Sequence, residues 1–487
     1  MNTPEWFTRN VSKLLPAAGD RTTRTPANAL LLESAANTGA APKLRSVRER
    51  LAGTLRYREE ALSPHVLRRT LTELQAVVDT QVSEVEGGRR AKAVALWYGA
   101  ATPAQRRDCW LLMSERFGPD PQKVQAARGQ YEAAQDTPDE GQAEIRLRRA
   151  LVSLRTRLLQ RFAVFPGGMR FLVDLRAELL AHLKTEKRLL ALDAELENLF
   201  STWFDVAFLE LRRISWDSPA SLIEKLIKYE AVHDIRGWND VKNRLDSDRR
   251  CYGFFHPQLP DEPLIFVEVA LLDELPRAIS PLLDESAAAQ DLSKATTAIF
   301  YSISNTQTGL RGVSFGDSLI KRVVETLKAE FPRLKTFATL SPMPGFRAWL
   351  GKNATVMLDK LDDKGRAALG CSAGVEPAAH LLTAADQALD LDAKSPVRHM
   401  LMQCAAHYLS RELADGKPLD PVTHFHLGNG ARVERLNWGG DCSAKGLKQS
   451  YGMMVNYLYD LKHLDKYRAQ LANGKLAVSG DIKAFGF

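Results

Sequence analysis

The chain has 487 residues, 45% hydrophobic and 26% charged, an ordinary globular balance at a length where two domains are expected. The formal net charge is +7, and the whole excess lies in residues 1–200, with 31 Lys+Arg against 24 Asp+Glu, while the remainder holds 35 of each. The cations are interleaved with acids, as in RERL, RYREE and RLRRA, which marks solvated helix faces rather than a nucleic-acid footprint. No apolar run approaches the ~20 residues of a membrane span, and the opening MNTPEWFTRNVSKLLPAAGD lacks the apolar core of a secretory signal. Five scattered cysteines (Cys109, Cys251, Cys371, Cys404 and Cys442) include no CxxC pair. They indicate free thiols in a reducing compartment, with the cytoplasm as the expected location.

Residues 1 to about 40 lack periodicity and read as a loosely ordered arm. From Lys43 to Phe200 the chain is rich in Leu, Ala, Arg and Glu, which favour helix. Breaks are expected at Ser63-Pro64, Gly87-Gly88, Gly118-Pro119-Asp120-Pro121 and Pro166-Gly167-Gly168. The pattern has no fixed repeat, so residues 1–200 are expected to form an all-α bundle serving packing or oligomerisation. From about Trp203 the composition turns mixed, and residues 201–487 are expected to form an α/β domain. RRCYGFFHP and PLIFVEVALL read as strands, and KSPVRHMLMQCAAHYLSREL as an amphipathic helix. THFHLGNGARVERLNW reads as a hairpin around Leu427-Gly428-Asn429-Gly430-Ala431, and SYGMMVNYLYDLKHLDKYRAQLANG as helical.

The stretch Ala298–Leu350 is the centre of the mixed part. AIFYSIS predicts a strand, followed by a loop punctuated by Gly309, Gly312 and Gly316. Leu319, Ile320, Val323, Val324, Leu327 and Phe331 then recur at helical spacing, with Asp317 or Ser318 placed to cap the helix. KTFATL predicts a second strand running into Ser341-Pro342-Met343-Pro344-Gly345. A glycine loop before a helix N-terminus can hold phosphate through free N–H groups and the helix dipole. It is neither a GxxxxGK[ST] loop nor a GxGxxG loop. RGVSFG, Arg311 to Gly316, comes close to the [QR]-x-x-G-x-[GA] loop of acetyltransferase-like folds, with Ser314 at the first glycine position.

Among the ten histidines, His424 and His426 would share one face of a strand at positions i and i+2, with Phe425 and Leu427 pointing to the core. A zinc site would need a third ligand, which no HExxH motif or suitably spaced acid supplies. A structural imidazole and an acid/base role both stay open. Ser341 begins a Ser-Pro turn and lies outside any GxSxG elbow.

Read together, FYSISNTQTGLRGV, TLSPMPGFRAWL and FHLGNGARVERLNW, in this order, resemble malonyl-CoA decarboxylase, over most of the chain from Trp203 to Tyr459 and more loosely before it. The resemblance implies an N-terminal helical domain followed by an acetyltransferase-like (GNAT-type) α/β catalytic domain, and a homo-oligomer, with a tetramer expected. It implies that malonyl-CoA is converted to acetyl-CoA and CO2. The serine of SPMPGF, Ser341, and the histidine of FHL, His426, would form the catalytic pair. Arg311, Gly312, Val313, Ser314, Phe315, Gly316 and Asp317 would hold the coenzyme A phosphates. Asn456 and Tyr459 of NYLY fall in a family segment near the active site, with Tyr459 in a supporting role. Relatives can carry an acid where this chain has Ser314. Some also end in a peroxisomal Ser-Lys-Leu, where this chain reads DIKAFGF.

The chemistry suits these groups. Loss of CO2 from a 3-carboxy thioester leaves an enolate that the thioester itself stabilises, so neither metal nor cofactor is expected. A general acid must then protonate the carbon, the role assigned to His426. The rival readings are an N-acyltransferase that shares the coenzyme A loop, or a helical scaffold with a vestigial coenzyme A site. Activity on malonyl-CoA is expected to survive exhaustive dialysis against EDTA; a stoichiometric zinc whose removal abolishes turnover would overturn the assignment of His426.

Overall fold

The structure, a computed structural model, describes residues 45–56, 60–313, 319–369 and 376–486. Up to Trp203 these residues form helices: α1 (Val47–Ala52), α2 (Pro64–Val78), α3 (Glu84–Ala100), α4 (Pro103–Arg116), α5 (Pro121–Ala134), α6 (Glu140–Leu151), α7 (Leu154–Ala163), α8 (Gly168–Leu180) and α9 (Leu190–Trp203). Most starts are dictated locally. Ser46 and Thr102 close capping boxes with Glu49 and Gln105, and Pro64, Pro103 and Pro121 sit just inside their helices behind Ser63, Thr102 and Asp120.

One expected break is absent. Gly87 and Gly88 lie inside α3, where a Cβ at Gly87 would come 3.0 Å from Arg161 Cδ and one at Gly88 2.9 Å from Val164. These glycines do not end a helix; they let α7 approach α3 closely. The breaks at Gly118–Pro121 and before Gly168 are present. Conversely, the helical reading of SVRERLAGTLRYREE is realised only over Val47–Ala52 among its described residues.

Beyond Trp203 the chain is mixed. Strand β1 (Glu210–Ile214) is followed by helices α10 (Ala220–Tyr229) and α11 (Trp238–Arg244), then by β2 (Arg249–His256), β3 (Leu259–Leu272) and β4 (Thr297–Asn305). Helix α12 (Leu319–Glu330), β5 (Thr336–Thr339), β6 (Ser341–Pro342) and α13 (Phe346–Leu358) complete the central stretch. Helices α14 (Asp363–Ala368), α15 (Pro377–Asp386) and α16 (Pro396–Arg411) lead to a small hairpin, β7 (Leu413–Ala414) and β8 (Lys417–Pro418). The chain finishes with α17 (Pro421–Gly428), β9 (Arg432–Asn437), α18 (Ala444–Ser450), β10 (Met454–Leu458), α19 (Leu464–Ala472) and α20 (Gly480–Ala484).

The main sheet runs β1-β2-β3-β4-β5-β10-β6, with β9 on the other edge of β10. Strands β1 to β4 are antiparallel, whereas β4 and β5 are parallel and in register only from Thr297↔Thr336 to Phe300↔Thr339. After Leu340 the β5 chain leaves β4 but stays on β10, which it already pairs at Ala338, placing Ser341 opposite Val455 and Pro342 opposite Met454. Among the described residues, Tyr301–Asn305 of β4 therefore has no strand beside it on that edge, and the sheet opens there.

The period of two along β4 fixes its faces. Ala298 and Phe300 join a core that extends through Phe200 and Phe204 to Leu74 and Trp110 of the helical part. Ile299 and Tyr301 pack on the opposite face with Ala338, Leu340 and Met454. Helix α12 buries Leu319, Ile320, Val323, Val324 and Leu327, the stripe expected from their spacing.

Two expectations about the last part are overturned. THFHLGNGARVERLNW is not a hairpin: its first half is the helix α17 and only its second half is a strand, β9. Asp420 caps α17, accepting from the N–H groups of Val422 (3.0 Å) and Thr423 (2.8 Å), and Pro421 fits the first helical position. That local start signal outweighs the turn composition downstream. SYGMMVNYLYDLKHLDKYRAQLANG is not continuously helical, because Met454–Leu458 is a wholly inserted strand and helix resumes only at Leu464.

One buried ion pair ties α11 to the sheet. Arg244, 2% exposed, donates to Asp240 at 2.7 Å, to Glu268 of β3 at 2.8 Å and to the His233 carbonyl at 2.8 Å. Arg244→Met should cost about 3–5 kcal/mol, because it strands the Glu268 carboxylate in the sheet. Arg89→Ala, which breaks an exposed pair with Glu86, should leave stability nearly unchanged, because solvent screens the pair. Urea unfolding of both variants checks the contrast, and equal effects would refute it.

Candidate active site

The opening in the sheet is a cavity lined by Phe300, Tyr301, Ile303 and Asn305 on one side and by Ser341 and Pro342 on the other. Helix α17 closes it with Pro421, Val422, Phe425 and His426. Ser341 and His426, remote in sequence, meet here: Ser341 Oγ lies 3.3 Å from His426 Nε2. The serine also donates to Thr339 Oγ1 at 2.9 Å, and His426 Nδ1 lies 2.7 Å from the Tyr459 hydroxyl. The imidazole is stacked on the Tyr457 ring, with centroids 4.5 Å apart and planes at 28°. Thr339, Ser341, His426 and Tyr459 thus form one buried chain of hydrogen bonds.

Its supports are also buried. Thr423 Oγ1 donates to Asp420 at 3.1 Å and shares a 2.7 Å bond with the Tyr457 hydroxyl, and Tyr408 donates to the other Asp420 oxygen at 3.2 Å. The same carboxylate therefore starts α17 and holds the tyrosine that stacks on His426. Asn456 donates to the Thr339 carbonyl at 2.7 Å and accepts from Asn437 at 2.8 Å, fixing β10 against the end of β5. Burial sets the electrostatics. It pushes the His426 imidazolium down from the ordinary 6.5 to about 3, so the ring is neutral at pH 7, and it holds the Tyr459 phenol well above its usual range.

The two histidines part company. On a helix, positions i and i+2 point to nearly opposite sides, so His426 is buried while His424 is exposed, and Phe425, expected in the core, is 37% exposed. His424 and Phe425 instead face a second cavity with Asn305, Gln307, Leu310, Arg311, Gly312 and Val313. Asn305, Pro421 and Phe425 border both cavities, so the two adjoin. Arg311, Gly312 and Val313 of the proposed phosphate loop are therefore beside the Ser341–His426 cavity. Ser314, Phe315, Gly316 and Asp317, with Ser318, lie outside the described residues.

Several site residues were not singled out from the sequence. Thr339 was findable, since it stands two residues before Ser341 on the same strand face. Asp420 was findable from Asp-Pro-x-Thr, a helix start. Asn305 and Tyr457 carried no local signal; topology alone brings them in. Among the described residues no group of three or more His, Cys, Asp or Glu is placed to hold a metal ion.

A family model described as malonyl-CoA decarboxylase C-terminal domain matches residues 207–485, and the N-terminal domain model of the same family matches residues 117–204. The chain is 34% identical over 433 residues to malonyl-CoA decarboxylase, mitochondrial, of Anser anser anser, covering 84% of this chain and 86% of that one. It is 36% identical over 396 residues to the protein of the same name from Rattus norvegicus, covering 77% and 80%. The crystal structure of malonyl-CoA decarboxylase from Agrobacterium vitis superposes with a TM-score of 0.75 at 40% identity, over 86% of this chain and 99% of that one. The structure from Cupriavidus metallidurans gives 0.69 at 43%, over 86% and 100%. The chain belongs to the malonyl-CoA decarboxylase family.

Proposed function

We infer that this protein is a carboxy-lyase that converts malonyl-CoA to acetyl-CoA and CO2 at the cavity between β4 and β6. The observation that carries the reading beyond family membership is the Ser341–His426 contact inside a cavity that adjoins the Arg311–Val313 loop. The loop would take the coenzyme A phosphates, and the acyl arm would run past Asn305 and Phe425 to Ser341. The arrangement is that of an acetyltransferase-like fold, supported by the strand–loop–helix–strand order β4, Thr308–Leu310, α12, β5 and by the parting of β4 from β5. An N-acyltransferase would also need an amine acceptor.

The reaction needs a place for the malonyl group, donors for the enolate oxygen, and a proton for the carbon. Ser341 would orient the malonyl group. Carbon–carbon cleavage releases CO2 and leaves its bonding electrons on the thioester enolate, whose oxygen fixed donors would stabilise. His426 would then protonate the carbon. In the empty site burial keeps the imidazole neutral, but the substrate brings its own carboxylate into the same cavity, and an opposite charge within a few ångströms favours the imidazolium. The proton would thus be taken up with the substrate and delivered after CO2 leaves. Tyr459, held un-ionised by burial, would donate to Nδ1 in the resting state and set the ring's tautomer.

The helical residues 1–200 and the catalytic residues 201–487 are read as two domains. Self-association, with a tetramer expected, would use the helical one, whose Val85 and Leu96 are exposed. A reducing compartment, the cytoplasm in this reading, accords with free Cys109, Cys251, Cys404 and Cys442, although the goose and rat relatives are named mitochondrial. Among the described residues no helix is long and apolar enough to cross a membrane.

His426→Ala should lower kcat by roughly 10²–10⁴-fold with little change in apparent affinity, the usual scale for loss of a general acid. Ser341→Ala should do similar damage, and the double variant should be far less than multiplicatively worse; near-normal turnover by His426→Ala would sink the assignment. The pH dependence of kcat/KM reports the free enzyme. Since burial lowers the His426 value to about 3, the wild type should show no limb near 6.5 that disappears in His426→Gln.

A further inference from the structure

We propose that helix α8 of the N-terminal helical part is a working element of the coenzyme A site, with Arg176 as the residue that positions the phosphate loop. The proposal rests on the reading of Arg311–Val313 as part of that loop.

The loop leaves β4 at Asn305 and forms a 3-10 turn over Thr308–Leu310, which lies flat on α8. Gly309 has no room for a side chain: a Cβ there would sit 1.9 Å from the Val173 carbonyl oxygen. Arg176, 1% exposed, reaches across this contact and donates from one nitrogen to the carbonyls of Gly309 (2.9 Å) and Arg311 (2.8 Å). Its other nitrogens are held by Asp193 of α9 at 2.8 Å and Glu197 at 3.1 Å. Six residues earlier on α8, Arg170 pairs with Asp174 and donates to Gln307 Oε1 at 2.7 Å. Gln307, Arg311 and Gly312 line the cavity next to Ser341 and His426.

These contacts fix carbonyl groups, and that matters for a loop that would bind anions through its N–H groups. The N–H on the Gly309 peptide, that of Leu310, is used within the turn on the Gln307 carbonyl at 2.9 Å, so the peptide that matters is Arg311–Gly312: its C=O faces Arg176 and its N–H is turned the other way. Gly312 follows immediately in the left-handed region, at φ +82°, a conformation that favours glycine, and it lines the cavity. Asp193 and Glu197 balance the Arg176 charge, and the side chain is buried away from the cavity. It is therefore a positioning residue and not itself a phosphate ligand. Lysine could not replace it, since an ammonium lacks the planar fork that spans two carbonyls and two carboxylates at once.

The test uses the full-length enzyme and two substrates, malonyl-CoA and malonyl-pantetheine, which lacks the nucleotide and its phosphates. For R176K, the KM for malonyl-CoA and the calorimetric Kd for acetyl-CoA should rise about tenfold or more while kcat stays within about twofold. Turnover of malonyl-pantetheine should match the wild type, because that substrate never engages the loop. R170A removes the more exposed tether and should give the same pattern at about threefold. It carries the test if R176K does not fold. Folded variants that keep wild-type affinity for acetyl-CoA overturn the proposal, as does an equal loss with both substrates, which would mark general damage. A wild type that does not prefer malonyl-CoA over malonyl-pantetheine overturns the assignment of the loop itself, and the proposal with it.

Discussion

The site depends on a strand that leaves one of its two neighbours. β5 lies between β4 and β10; it pairs with β4 for four residues only, while its chain stays on β10 from Ala338 through Leu340 to Ser341 and Pro342. Without that departure Tyr301–Asn305 would have a neighbour and there would be no cavity; with it, backbone groups on both sides of the gap still need partners or a ligand. Leu340 makes the change tolerable. It is fully buried and its N–H still reaches the Phe300 carbonyl at 3.1 Å, so contact with β4 persists one residue past the strand, and Ser341 is then held on the β10 side alone, opposite Val455. Ser341 thus stands on regular structure rather than a free loop, as a group that must be placed within a fraction of an ångström requires.

A buried polar chain must be satisfied throughout, since a lone unsatisfied group costs about 1–3 kcal/mol. Here the chain from Thr339 to Tyr459 is continuous, and Asp420 anchors a second chain through Thr423 to the Tyr457 hydroxyl. The two meet at the stacked His426 and Tyr457 rings. Asp420 is buried, and the cost of that burial raises its carboxyl against the hydrogen bonds that favour ionisation. Its position at the cap of α17 offsets part of this cost, because the helix N-terminus presents two N–H groups and a positive dipole end.

How far the sequence reveals this differs from element to element. β4 was readable from the β-branched and aromatic run AIFYSIS, α12 from apolar residues at three- and four-residue steps over Leu319–Leu327, and β5 from the short run KTFATL that follows. The motif serine and histidine were readable by resemblance, and the structure puts them in contact. The secondary structure around His426 was not. Two glycines near a histidine pair resemble a turn between strands, and the deciding signal, Asp420-Pro421, lies before the segment that drew attention. β10 was hidden for a related reason: Met454–Leu458 is apolar on both faces because it is buried on both, so it lacks the alternation that separates a half-buried strand from a helix. Gly87 and Gly88 failed in the opposite direction. Glycine signals a loop locally, and only the neighbouring helix shows that it marks a close approach.

The helix, rather than a hairpin, also decides what His426 can do. On a strand, His424 and His426 would have shared one face, and a second imidazole in the cavity would have made a cation there harder to form. On α17 they diverge, so His426 is alone with neutral hydroxyls and aromatic rings. Nothing among its hydrogen-bond partners carries a charge, which is why burial alone governs its proton affinity in the empty site. A group in such surroundings responds strongly to the first charge that enters, because few fixed charges compete with it. In the proposed reaction that charge is the substrate carboxylate, and decarboxylation releases neutral CO2 and passes the charge to the thioester enolate. The imidazolium thus keeps an anionic partner throughout, and its proton moves only once cleavage has made the carbon basic, which neutralises both buried charges in one transfer.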